Sequence, residues 1–186
     1  MLRELIADYC PADADEAGDV ARVRALLDGG GDVWSRATPL HVTASALIVD
    51  PASGRVLLRW HARQEAWLQV GGHGDPGETD PVAVALREGE EETGLADLVP
   101  YPDPARAEIV HVVVVPVNAK GDEPAHEHAD VRFVLATGTP EAARPEKPDA
   151  PLRWLTVAEA LGLATEPNLR ETIARAGRLL TPVREA

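Results

Sequence analysis

Four glutamates, Glu88, Glu90, Glu91 and Glu92, fall within five positions of the stretch GGHGDPGETDPVAVALREGEEETGL, residues 71–95. Like charges this close repel and lower helix stability. The cluster is therefore a solvated acidic face or a cradle for something cationic. On a helix each residue turns by about 100°, which gathers Glu88, Glu91 and Glu92 on one arc and turns Glu90 into solvent. Hard divalent cations take oxygen ligands, and magnesium is held by one or two carboxylates together with phosphate oxygens and water. The preceding loop, GGHGDPGE, places four glycines and a proline in eight positions, so its backbone can approach a ligand closely. A metal bridging a diphosphate there would neutralise charge, polarise phosphorus and generate a hydroxide nucleophile.

For the carboxylates to converge, residues 80–93 must form a helix. Asp80 suits the N-cap, Pro81 the first helical position and Gly94 the stop. Val82, Ala85, Leu86 and Gly89 then make an apolar stripe beside the acids, so one flank packs on a sheet while the acids project at its edge. Strands are expected at 39–50, 54–61, 66–70, 107–117 and 129–137, from their alternation or apolar runs. Residues 1–30 read as helical, with Val20, Val23, Leu26 and Leu27 at helix-like spacing. Thr156 and Glu159 make a capping-box pattern, and 166–180 reads as a closing helix. The segment NAKGDEPAHEHAD before the last strand reads as a polar loop, and the proline-rich 138–152 as a surface loop. Strands and helices mix without strict alternation, which predicts an α/β fold with a mixed sheet and helices on its faces.

With these elements in place, residues 72–95 resemble the Nudix hydrolase signature, G-x5-E-x7-R-E-U-x-E-E-x-G-U, where U is a bulky aliphatic residue. Gly72, Glu78, Arg87, Glu88, Glu91, Glu92, Gly94 and Leu95 match it. Eight residues, not seven, separate Glu78 from Arg87, and Gly89 stands at the first aliphatic position. The stretches HVTASALIVD, GRVLLRWH, WLQVGGH and LRWLTVAEAL extend the likeness over roughly residues 38–163. The resemblance implies a Nudix-type α/β/α sandwich over 38–186, with residues 1–37 a helical N-terminal extension. It also implies hydrolysis of a nucleoside diphosphate linked to another moiety, by water activated at Mg2+ (or Mn2+). Carried over by position, Glu88, Glu91, Glu92 and the Gly72 carbonyl would hold the metal, and Glu78 with Arg87 would be a structural ion pair. A carboxylate must take the proton of the attacking water. Glu88 is the first choice, and Glu127 in HEHAD is the candidate from a later loop. The resemblance also leaves room for a homodimer, since Nudix domains are often dimers.

Composition bounds the alternatives. A net charge of −13 over 186 residues repels phosphate backbones, so the expected partner is a small phosphorylated molecule and not a nucleic acid. The longest apolar run, IVHVVVVPV, is too short to cross a membrane, and MLRELIADYC lacks the pattern of a signal peptide. A cytoplasmic protein is expected. The single cysteine, Cys10, excludes an internal disulfide and a multi-cysteine zinc site. His126 and His128 read as solvated loop residues, while His73 reads equally as a substrate contact or a turn-stabilising residue. Trp60, Trp67 and Trp154 read as core before base-stacking groups, and Arg59, Arg63 and Arg132 as surface residues before phosphate contacts. The competing function is a catalytically idle Nudix-fold sensor of a nucleotide or sugar-nucleotide, motivated by the extra loop residue, Gly89 and the acidic extension.

Overall fold

The computed structural model describes residues 1–122 and 124–181. Glu123, in the expected polar loop, and residues 182–186, the end of the expected domain, lie outside the described residues.

At the centre, β1 (Leu40–Asp50) and β7 (His126–Ala136) pair in parallel, with His41 beside His128, Thr43 beside Asp130 and Ser45 beside Arg132. Among the described residues every other pairing is antiparallel. The last residues of β1 pair with β2 (Arg55–His61), and its earlier residues with β4 (Val70–His73). The short β3 (Ala66–Leu68) pairs with β2, so residues 66–73 run from one neighbour of β1 onto β1 itself. β5 (Val99–Pro100) and β6 (His111–Val117) pair with β7, and β8 (Leu152–Thr156) with β2.

Side chains alternate across a strand with period 2, and β1 uses this directly. Val42, Ala44, Ala46 and Ile48 join Ala129, Val131, Phe133 and Leu135 of β7 in a core closed by Val84 and Ala85 of α3 (Pro81–Thr93). On the other face, Leu47, Val49, Val134 and Ala136 pack against Ala160 of α4 (Val157–Leu163) and Leu169, Ile173 and Ala176 of α5 (Pro167–Leu180). That second core covers only one end of the face. Towards the start of β1 the same face turns polar and opens as a cleft.

The extension is built into this core. Leu2 and Ile6 of α1 (Leu2–Asp8) and Val20, Val23 and Leu27 of α2 (Ala14–Asp28) belong to the cluster that contains Val42 and Phe133. α2 lies along the edge of β6, where Glu16 accepts from the Val112 N–H at 3.1 Å and Asp19 from the Val114 N–H at 2.9 Å. The exposed rim of an edge strand is thereby satisfied by two carboxylates. Glu16 is buried and also accepts from Arg175 of α5 at 2.9 and 3.0 Å, joining three elements.

Several boundaries differ from the sequence reading. The expected strand 66–70 is two short strands, the second reaching His73, and the expected 107–117 strand starts at His111. The polar loop ends sooner than expected: β7 begins at His126, so His126 and His128 are strand residues. Their polarity reflects the cleft they face.

Candidate active site

Asp80 caps α3 by accepting from the Val82 N–H at 3.0 Å, and Gly94 ends it at φ +69°. Between those caps, Glu90 and Glu91 are exposed, Glu88 is half-buried and Glu92 is buried. The volume that a side chain at position 89 would need is taken by Leu98, whose Cδ1 would stand 2.8 Å from an added Cβ. Gly89 thus seats α3 against the sheet beneath the acids.

β4 brings the glycines to the same edge. Gly71 has φ +147°, and a Cβ there would lie 2.3 Å from the Ser45 Cβ on the paired strand. Its N–H donates to Glu92 at 3.2 Å. Gly72 lies against the Glu88 carboxylate. Arg87 ties the loop to the helix: it donates to Glu78 at 2.9 Å, to the His73 carbonyl at 2.9 Å, to Glu88 at 3.1 Å and to Glu91 at 2.9 Å. The extra residue between Glu78 and Arg87 is absorbed where the loop meets the helix, and the two side chains still meet. Such a fork of donors is particular to arginine.

The electrostatics separate the acids. Burial raises Glu92 to about 7, against the attraction of Arg59, which stands 3.0 Å away, and the Gly71 N–H. Burial also raises Glu88, opposed by Arg87. Arg87 holds Glu78 below the usual carboxylate range. Arg59, on β2, reaches from Glu92 towards Glu146, 3.7 Å away.

The cleft beside Glu92 and the glycines has a volume of about 270 Å³. Arg59 and Arg63 line one wall and Val115 and Val117 another, while Thr43, Ser45, Asp130 and Arg132 line its floor. Asp130 accepts from Thr43 at 3.0 Å, Ser45 at 2.9 Å and Arg132 at 2.8 Å, which makes this floor a closed polar network. Three histidines, His73, His126 and His128, also line the cleft, and the buried His41 lies against them. Nε2 of His73 lies 3.0 Å from Nε2 of His41 and 3.2 Å from that of His128, which is 3.1 Å from Nε2 of His126. Burial, then the neighbouring His128 and Arg36, lowers His73 to about 3, so it is a neutral imidazole at ordinary pH.

Of the residues singled out in the sequence, Gly72, Glu78, Arg87, Glu88, Glu91 and Glu92 lie together. Glu127 does not join them. It alternates to the opposite face from His126 and His128 and pairs with Arg22 of α2 at 2.6 Å. Arg132 is buried in the cleft floor and not a surface residue. Among the described residues no tryptophan lines the cleft; Trp60 and Trp67 pack edge to face at 5.6 Å, and Trp154 donates to the Pro140 carbonyl at 3.0 Å. The sequence reading passed over His41, Thr43, Ser45 and Asp130. Their signal was the alternation of polar and apolar residues in HVTAS and in HADVR.

The donor set on α3 fits a hard divalent cation. Three carboxylates stand beside a backbone stretch that bears no side chain, and Gly72 leaves the space that the Glu88 carboxylate fills.

A family model described as the NUDIX domain matches residues 39–176. No curated protein matches the chain at a significant level. Solved structures share its fold. A C. elegans Ap4A hydrolase in a binary complex is 19% identical with a TM-score of 0.58, covering 75% of this chain and 96% of its own. The E. coli dihydroneopterin triphosphate pyrophosphohydrolase is 19% identical with a TM-score of 0.57, covering 72% and 92%. A Nudix hydrolase from M. smegmatis, RenU, is 20% identical with a TM-score of 0.54, covering 78% and 90%. The chain belongs to the Nudix family. Its class is that of a pyrophosphohydrolase.

Proposed function

We propose that this protein hydrolyses the diphosphate linkage of a nucleoside diphosphate joined to another moiety, using magnesium or manganese. The observation that carries this reading is the packing of the half-buried Glu88 and the buried Glu92 against Gly71–Gly72, with Glu91 alongside and Arg87 holding the set. Glu88, Glu91, Glu92 and the Gly72 carbonyl would hold the ion. When bound, it supplies charge neutralisation on the phosphates and a more acidic water.

The chain's own residues do the rest. Glu88, whose proton affinity burial raises, accepts the proton of the attacking water, since a base with a pKa nearer the working pH is more effective. Arg87 fixes Glu88 and Glu91 and holds the loop through the His73 carbonyl. Arg59 and Arg63 face the substrate phosphates across the cleft, and Val115 and Val117 offer an apolar wall to its organic part. A cleft of about 270 Å³ suits part of a small molecule and not a polymer. No helix among the described residues is long and apolar enough to cross a membrane, and we place the activity in the cytoplasm.

The test is a product-release assay over dinucleoside polyphosphates, nucleotide sugars, dinucleotide cofactors and nucleoside triphosphates, each with magnesium or EDTA. Turnover that both EDTA and Glu92→Gln abolish is expected. Silence across the whole panel with magnesium present would reject the reading.

A further inference from the structure

The geometry points to a second metal site, formed by the imidazoles of His41, His73 and His128 and suited to a borderline divalent transition ion such as zinc. His41, His73 and His128 each offer a ligand nitrogen within 4.8 Å of the others, and His126 stands behind them at 3.1 Å from His128. A tetrahedral zinc with metal–nitrogen bonds near 2.0–2.1 Å sets its ligand nitrogens about 3.3 Å apart. The two separations about His73, 3.0 and 3.2 Å, lie within a few tenths of that.

The tautomers support the same conclusion. Nδ1 of His41 is 2.9 Å from the Thr38 carbonyl, and Nδ1 of His126 is 3.0 Å from the Pro124 carbonyl. A carbonyl only accepts, so both Nδ1 atoms carry hydrogen, and in the neutral rings both Nε2 atoms present a lone pair to the centre. His73 must then donate to His41, and His128 to His126. That leaves the 3.2 Å contact between His73 and His128 with two N–H groups opposed. No set of four neutral tautomers satisfies all three contacts. A cation held by His41, His73 and His128 relieves the opposed pair, because their three Nε2 atoms can turn lone pairs towards it. Backbone carbonyls that fix the ring from its far nitrogen are the usual outer partners of metal-bound histidine.

The donor chemistry keeps this site apart from the α3 carboxylates. Imidazole nitrogen suits zinc, copper, iron and nickel, whereas magnesium demands oxygen. The inference stands on this geometry and does not rest on the proposed reaction. Its structural consequence lies at His73, which directly follows Gly72. An ion there would fasten the end of β4 to β1 and β7, opposite the hold of Arg87 on the His73 carbonyl.

The experiment is a zinc titration of chelator-treated protein in excess magnesium, with bound metal counted by mass spectrometry. One zinc per chain is expected. It should persist in a Glu88→Gln/Glu92→Gln double variant, and His128→Ala should weaken it by about 100-fold or more, the upper end of what losing even an outer partner costs. Because His128→Ala could disturb folding, long-range proton–nitrogen spectra of the wild-type imidazoles are recorded as zinc is added. Shifts in Nε2 of His41, His73 and His128 support the site. The idea fails if zinc is not retained over magnesium, if folded His128→Ala binds it unchanged, or if one ring stays doubly protonated and the spectra do not respond to zinc. The last outcome would mean that a proton supplies the positive charge.

Discussion

A side chain on Gly72 would stand where the Glu88 carboxylate lies: an added Cβ would be 2.5 Å from Glu88 Oε1 and 2.6 Å from its Cδ. The bare backbone is part of how Glu88 is aimed. Gly72 does not need a left-handed conformation, so alanine there leaves the backbone unstrained and acts by pushing the carboxylate aside. Gly72→Ala should therefore keep the fold and lower kcat by about 10- to 100-fold, the scale of an ångström-sized misplacement. Steady-state kinetics with a melting curve on the same sample checks this. Wild-type kcat would mean that the position of Glu88 does not matter.

Arg87 meets Glu78, Glu88, Glu91 and the His73 carbonyl at once. Lysine keeps the charge and loses the fork. Arg87→Lys should cost about 1–2 kcal/mol in urea unfolding, a charged hydrogen bond's share, and reduce kcat at least about tenfold through loosened acids. Glu78→Gln breaks one arm only, so its kcat should fall less. Equal losses in the two variants would show that the pair matters as a unit and the other arms do not.

These two positions were legible in the sequence because a helix states its own phase. Asp80, Pro81 and Gly94 bounded α3, and a turn of about 100° per residue sorted Glu90 from its neighbours. Strand parity was harder to use. Glu127 reads as a later-loop base and His126 and His128 as solvated loop residues, yet on a strand a shift of one residue reverses the face. Here that sends Glu127 to Arg22 and the histidines to the cleft. His41 sits in the most buried strand, and only the register with His128 and His73 shows its role. The extension was readable as helices. What it packs on was not, because Val20 and Phe133 meet only through the tertiary fold.

Glu16 gives the fold a pH signature. Burial would raise its carboxyl, but Arg175, the Ala12 N–H, Tyr9 and the Val112 N–H outweigh burial and hold it at about 2. With the folded value below the unfolded one, the stabilisation is complete above about pH 4.5 and is lost as pH falls towards 2. Glu16→Gln should flatten that slope and cost a few kcal/mol at neutral pH by leaving Arg175 poorly compensated. Urea unfolding of both proteins across this range decides it. Parallel slopes would mean that acid sensitivity arises elsewhere.

Arg59 offers the sharpest test of how the cleft holds phosphate. Its guanidinium is 3.0 Å from Glu92 and 3.7 Å from Glu146, and among the described residues its buried Nε has no hydrogen-bond partner. A buried donor left without a partner is costly, and a phosphate oxygen entering the cleft would satisfy it. Arg59→Ala should raise KM about 10- to 100-fold, the equivalent of one charged hydrogen bond of about 1.5–3 kcal/mol. If Arg59 serves the bound phosphate in this way, kcat should change less than KM, and Arg59→Lys should recover part of the affinity. If it acts only by positioning Glu92, the order reverses: kcat should fall with KM little changed. Measuring kcat and KM separately for the three proteins, at saturating magnesium, distinguishes the two roles.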